Sequence, residues 1–348
     1  LVLFCGIYDG IRGEKGESMA KVVRLHQTGD ASVLQIEEMP VAEPGRGEVR
    51  LKLEALGMNR AEVLYRQGHY LEQTQVPSRI GYEGAGVVQA VGEGVDAAWI
   101  GKRVGTVPGF SMNSYGLWAE EAIVPASVLV ATPKGMRVEE SAAIWMQYVT
   151  AYGGLLIAGE MKRGDSVLIT AASSSVGLAA IQIVKDQGGV SIATTRTGKK
   201  KQELLDAGAD HVIATEEEDL PKRVGEVTSG KGADVIFDPV AGKFVETLAK
   251  CAAMYGRMVE YGGLSLEPAP FPFRMALKKQ LTMRGYTLMQ VTADPKRREE
   301  AVRYITGKIE AGVFRPKIAK VFHGLEQIGA AQDYMESNQQ VGKIVVAL

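Results

Sequence analysis

Hydrophobic and polar positions fall into two textures along the chain. From Ala20 to about Pro133, short runs with alternating apolar positions are separated by glycine and proline turns: KVVRLHQ, SVLQIEE, GEVRLKLEALG, GYEGAGVVQAVGEGV, RVGTVPG and WAEEAIVP. A period of two with such punctuation predicts β-strands of a barrel-like or sandwich-like domain. One segment, NRAEVLYRQG, interrupts the pattern with helical spacing. From about Ser141 the texture changes. The stretch VEESAAIWMQYVTAYGGLL predicts one helix. The apolar runs VLIT, VSIATT, HVIAT, DVIFDPV, GRMVEYG and LTMRGY then alternate with helical stretches. Strands alternating with helices predict an α/β fold with a doubly wound parallel sheet. The final segments, through GKIVVAL, add helix and strand outside that alternation.

Composition narrows the class. The chain has 348 residues, 46% of them hydrophobic, with 41 glycines. That suits a globular chain of roughly two domains. A formal net charge of -1 gives no reason to expect nucleic acid or an anionic membrane as partner. No apolar run approaches the roughly 18 residues of a membrane span. The cysteines, Cys5 and Cys251, are too few for a four-thiol zinc site, and their usage suits the reducing cytoplasm. Cys251, in FVETLAKCAAM, reads as a small buried thiol. The first 18 residues, LVLFCGIYDGIRGEKGES, lack a basic segment before their apolar part, unlike a signal peptide. Met19 is the expected natural start, with residues 1–18 a leader outside the native fold.

The stretch TAASSSVGLAAIQIVKDQGG follows the strand VLIT and opens an amphipathic helix. A dinucleotide loop belongs at such a place, because free helix-end amides and the helix dipole bind pyrophosphate. Laid on G-x-G-x-x-G, the positions read Ala172, Ser174 and Gly177, so only the last glycine is present. As a bare motif the match is weak, and a plain strand–helix turn is the competing reading. The serines offer hydroxyl donors where glycines would offer backbone freedom. NAD sites place an acid about 20 residues on, for the ribose 2′-hydroxyl. No Asp or Glu occurs here from Gln187 to Gln202; the stretch carries Arg196, Lys199, Lys200 and Lys201. That charge favours a 2′-phosphate, hence NADPH over NADH.

With GEVRLKLEALGMNRAEVLYRQGHY, GYEGAGVVQAVGEGV, YVTAYGGL, AASSSVG, DVIFDPVAG, EYGGLS and GKIVV, the chain from about Met19 to Leu348 resembles the medium-chain dehydrogenase/reductases. The resemblance is to their zinc-free quinone oxidoreductase (zeta-crystallin-like) branch. It implies a GroES-like β-rich catalytic domain, residues 19–140 and 288–348, interrupted by a Rossmann domain, residues 141–287. It also implies that Ser174, Ser175, Val176 and Gly177 hold the cofactor phosphates, and that Arg196 and Lys200 meet the 2′-phosphate. Thr150, Gly262, Gly263, Leu264 and Gln340 are implied beside the nicotinamide half, and a homodimer is implied through the edge strand near LTMRGY.

Zinc-dependent relatives carry a Cys near Asn59 and a His in a GHE motif, where this chain reads Asn59 and, in GYE, Tyr82. No catalytic metal is therefore expected. Without a Lewis acid, hydride delivery to a quinone or an α,β-unsaturated carbonyl is the easier reaction. Asn59 and Tyr70 match pocket residues of the family's quinone reductases and are the expected hydrogen-bond donors to the acceptor. The second pocket tyrosine of those enzymes is replaced by Leu64, with Tyr65 one residue later and about 100° around the helix. Asn59 also suits a helix N-cap. Trp145, Tyr148 and Tyr152 share a helical face, with Tyr148 expected at the cleft, and Glu216–Glu218 read as a solvated helix start. Two alternatives stand beside the NADPH-dependent quinone or enone reductase. One is an alcohol dehydrogenase-like carbonyl reductase, the other a non-catalytic NADPH-binding protein.

Overall fold

The computed structural model describes residues 18–348; Cys5 and, but for Ser18, the expected leader lie outside the described residues. Six parallel strands form one sheet in the spatial order His211–Ala214, Val190–Thr195, Ser166–Ile169, Ala233–Asp238, Ala252–Glu260, Thr282–Gly285. The order reverses between Ser166–Ile169 and Ala233–Asp238, which makes the crevice above their carboxyl ends the ligand-binding position of such a fold. Successive residues of the first of these strands serve opposite faces. Val167 and Ile169 join the main apolar core, while Leu168 packs with Ile192, Ile213 and Ile236 on the other side. Helices cover both faces, so the strands read as unbroken apolar runs.

A seven-stranded sheet holds the alternating strands of the first texture. Its path runs Ile318–His323, Lys343–Ala347, Glu48–Met58, Glu83–Val91, Arg103–Thr106, Leu129–Ala131, with Glu121–Pro125 pairing against Glu48–Met58. The chain's last strand thus returns to its first long one, antiparallel, with Ile344 opposite Met58 and Ala347 opposite Ala55. The parallel sheet is inserted between Leu129–Ala131 and Ile318–His323. A further sheet of three strands contains Met19–Leu25.

The long helix expected from Val138 to Leu156 is broken. Helix Val138–Ser141 ends, helix Trp145–Tyr152 begins, and Gly153–Ala158 widens into a π-helix. The restart has a cause that periodicity does not reveal. The buried carboxylate of Glu83 accepts the amides of Trp145 (2.6 Å) and Met146 (3.1 Å), capping the second helix from the side. The same carboxylate meets Lys343 Nζ at 2.5 Å, with both side chains wholly buried. Lys343 Nζ also donates to Asn59 Oδ1 at 2.5 Å. Gly57 passes beside this cluster, and a Cβ there would stand 2.1 Å from the Ala142 carbonyl oxygen.

Glu62 completes the cluster. Its Oε1 accepts Asn59 Nδ2 (3.1 Å) and the Tyr82 amide (3.1 Å), while its Oε2 is buried without a partner. Burial pushes its carboxyl up to about 7, against the hydrogen bond from Asn59 and the charge of Lys343.

Two stability measurements check this cluster. Lys343→Met leaves Glu83 buried and unpaired, so urea unfolding at pH 7 is expected to show a loss of about 3–5 kcal/mol; adding Glu83→Gln recovers most of it. Glu62 is protonated in the folded state where the unfolded chain has already ionised. Its share of the stability is therefore full below the ordinary carboxylate pKa and is lost as pH rises to about 7. Glu62→Gln is expected to remove that part of the decline between about pH 4.5 and 7; an unchanged pH profile would show a carboxyl that titrates normally.

Candidate active site

The serine loop lies at the switch point, between strand Ser166–Ile169 and helix Ser175–Asp186. Ser174 is the N-cap, and its Oγ accepts the Gly177 amide at 3.0 Å. The amides of Ser175 and Val176 precede any helical carbonyl that could accept them, which leaves them for an anion. Gly177 is fixed by close approach: a Cβ there would stand 2.5 Å from Ala172 Cα. The 338–342 segment closes one side of the loop. The Gly342 amide donates to the Ser173 carbonyl (3.0 Å), and Ser174 forms a β-bridge with Gly342. Gln340 presents a buried Oε1 with no partner among the described residues, while its Nε2 reaches the Met335 carbonyl at 3.4 Å. Free helix-end amides, a serine cap and an orphaned amide oxygen at one crevice fit a dinucleotide.

Lys200 joins these pieces. Its Nζ donates to the carbonyls of Asn338 (2.8 Å) and Gln340 (2.9 Å) and reaches Ser173 Oγ at 3.4 Å. Burial holds its ammonium below the usual lysine range, and the Arg196 charge adds to that. Arg196 is exposed, at the end of strand Val190–Thr195. Of the two cations expected at a 2′-phosphate, Arg196 stands open, and Lys200 serves as a staple between loops. Lys201 is paired with Glu218 at 2.7 Å. The acidic run Glu216–Glu218 is not a helix start; it forms a turn, and Asp219 caps the helix that follows.

At the acceptor end, Tyr70 and Tyr82 face each other with ring centroids 6.1 Å apart, and Phe110 packs on Tyr82 at 5.6 Å. Burial pushes both phenols up, so both keep their protons at neutral pH. The tyrosine beside Tyr70 is therefore the one from GYE. Tyr65 is turned into the core, where its hydroxyl meets Ser78 Oγ and Asn113 Oδ1 at 2.6 Å each. Asn59 departs from its expected role. Its Nδ2 faces three protein acceptors, the Gly57 carbonyl (3.2 Å), Glu62 Oε1 (3.1 Å) and Glu83 Oε2 (3.5 Å), so its two amide hydrogens are directed into the protein. It occupies the N-cap position, but its side chain makes no capping bond.

Thr150 lies on helix Trp145–Tyr152, buried, with Oγ1 donating back to the Met146 carbonyl at 2.6 Å. Tyr148 does not line the cleft. It is fully buried, stacked on Phe314 at 5.1 Å, with its hydroxyl on Gln182. Gly262, Gly263 and Leu264 follow strand Ala252–Glu260 and turn back along the neighbouring loop, with the Leu264 amide on the Pro239 carbonyl at 2.9 Å. Beneath them is a pair that sequence reasoning missed. Glu260 stands opposite Asp238 in register on adjacent strands. Burial first and the Asp238 charge second push the Glu260 carboxyl up to about 9, so it carries a proton at neutral pH. The available signal was an acid closing each of two apolar runs, DVIFD and RMVE.

A cavity of about 380 Å³ lies at the other end of the parallel sheet, lined in part by Lys250, Cys251, Lys278 and Lys279. Lys279 Nζ bonds the carbonyls of Lys250 and Ala252 there, at 2.6 Å each, so its charge serves the end of helix Phe244–Cys251. Burial pushes the Cys251 thiol up to about 12, which leaves it inert.

Residues 45–134 match the alcohol dehydrogenase GroES-like domain, and residues 175–306 match the zinc-binding dehydrogenase family. The human synaptic vesicle membrane protein VAT-1 homolog is 30% identical over 338 residues, covering 91% of this chain and 84% of that protein. A quinone oxidoreductase of Pseudomonas aeruginosa is 30% identical over 329 residues, covering 94% and 99%. The solved structure of Escherichia coli quinone oxidoreductase complexed with NADPH superposes with a TM-score of 0.87 at 28% identity, covering 94% of this chain and all of that one. No helix among the described residues is long and apolar enough to cross a membrane. The zinc in the second family's description does not fit the donors here. Asn59 Oδ1 already holds the Lys343 ammonium, and a divalent cation there would meet that charge rather than a thiolate. The chain belongs to the medium-chain dehydrogenase/reductase superfamily of NAD(P)-dependent oxidoreductases, in its zinc-free quinone oxidoreductase branch.

Proposed function

We propose that this chain is an NADPH-dependent reductase of quinones or α,β-unsaturated carbonyl compounds that works without a metal. The observation that carries this reading is the meeting of the serine loop, Lys200 and the 338–342 segment at the switch point, with Arg196 open beside them. Ser174, Ser175, Val176 and Gly177 then cradle the pyrophosphate. Arg196, with Lys200 once released from its carbonyls, takes the 2′-phosphate. Thr150, Gly262, Gly263, Leu264 and Gln340 border the nicotinamide half. The NADPH in the Escherichia coli relative supports the same choice of cofactor.

When bound, NADPH supplies hydride. The chain's own part is to orient the acceptor and stabilise the charge that develops on its oxygen. Tyr70 is the residue suited to this: its phenol is kept protonated by burial and can donate to a carbonyl or quinone oxygen. Asn59 is a positioning residue, tied through Glu62 to the Tyr82 backbone and through Lys343 to the last strand. The catalytic unit is taken as residues 19–140 with 288–348, and the cofactor unit as residues 141–287. A second copy is proposed on the open edge strand Thr282–Gly285, where Phe271, Phe273 and Leu277 leave apolar surface for it to cover. The cytoplasm is the compartment proposed, since two cysteines far apart in the sequence suit a reducing environment.

Purified, chelator-treated protein offered a panel of quinones, enones and aldehydes is expected to oxidise NADPH faster than NADH with quinones or enones. Cofactor binding without turnover would favour the non-catalytic reading, and metal-dependent alcohol oxidation the dehydrogenase one. In the same assay Tyr70→Phe is expected to lower kcat roughly tenfold or more with cofactor affinity unchanged. An unaltered kcat would make Tyr70 a packing residue.

A further inference from the structure

The turn expected to receive the 2′-phosphate has no acid in its own sequence, yet the fold brings one there. Strand His211–Ala214 is the parallel neighbour of Val190–Thr195, and the turn after it runs beside Arg196. The Thr215 amide donates to the Thr195 carbonyl (2.8 Å), and the Glu216 amide to the Arg196 carbonyl (2.9 Å). Those bonds set Glu217 against the turn. Its Oε1 accepts the Gly198 amide at 2.9 Å, and a Cβ on Gly198 would stand 3.1 Å from its Oε2. Glu217 is exposed and, among the described residues, makes no ion pair; its neighbour Glu218 takes Lys201 and Arg223.

We propose that Glu217 sets the balance between the two nicotinamide dinucleotides: it accepts the adenosine ribose 2′-hydroxyl of NADH and restrains entry of the 2′-phosphate of NADPH. The proposal rests on the adenosine site assigned under Proposed function. A carboxylate at the end of a Rossmann strand is the usual partner of that hydroxyl, and here it arrives after the third strand of the parallel sheet in chain order instead of the second. The Gly198 N–H can serve Glu217 or a phosphate oxygen, not both. A phosphate monoester carries close to two negative charges at neutral pH, so the carboxylate opposes it while Arg196 attracts it. NADPH is favoured by less than the basic turn alone would give, and NADH remains a usable second cofactor.

Glu217→Gln isolates the charge, because the amide oxygen still accepts the Gly198 N–H. The full chain and the variant are titrated calorimetrically with adenosine 2′,5′-bisphosphate and with 5′-AMP at about 0.1 M ionic strength. The variant is expected to bind the bisphosphate about three- to tenfold more tightly, the size of one partly screened like charge, and to bind 5′-AMP no better than before. An equal change for both ligands, no change, or weaker bisphosphate binding would overturn the role of Glu217. The unmodified chain tests the other reading separately. If it does not prefer the bisphosphate to 5′-AMP, NADPH selectivity fails, while the shift caused by Glu217→Gln still decides the question of Glu217.

Discussion

Lys343 and Glu83 meet out of contact with water, 260 positions apart in sequence. Around that contact the strand Glu83–Val91, the last strand and the helix carrying Thr150 are brought to one point, and Asn59 joins from the start of helix Arg60–Gln67. A buried ion pair adds little net stability over a well-packed apolar substitute. Its effect is on which arrangements are tolerable. A one-residue slip of Lys343–Ala347 against Glu48–Met58 would turn Lys343 to the other face and leave Glu83 charged and alone. The same carboxylate caps the start of the helix at Trp145, so the placement of Thr150 on that helix is tied to the registry of a distant strand.

The crevice itself is arranged by opposing charges. Cations gather at Arg196 and Lys200, a carboxylate answers them at Glu217, and the serine loop leaves amides open between. Two of the turn's four cations are already engaged, Lys200 with protein carbonyls and Lys201 with Glu218. The Lys200 bonds hold its loop to the 338–342 segment.

Much of this was legible in the sequence. Strand runs with period two, six apolar strands alternating with helices, and a serine-rich loop leading into an amphipathic helix are local signals, and the structure follows them. Contacts made at long range were not legible. Nothing in NRAEVLYRQG says that the Asn59 Oδ1 is taken by Lys343, 284 positions away. The break before Trp145 depends on a carboxylate 62 positions away. The tyrosine beside Tyr70 is Tyr82, from a motif read for a missing metal ligand, because helix geometry turns Tyr65 inward. Glu217 escaped for the same reason: a search within one strand–helix unit does not see an acid donated by the adjacent strand.

The path of the chain has a mechanical corollary. The parallel sheet is entered from Leu129–Ala131 and left toward Ile318–His323, two strands of the same seven-stranded sheet. A body held by two covalent tethers can rock about the line joining them but cannot spin on either one. Besides those two crossings, Lys200 ties the parallel sheet's side to the 338–342 segment before the last strand, through the carbonyls of Asn338 and Gln340.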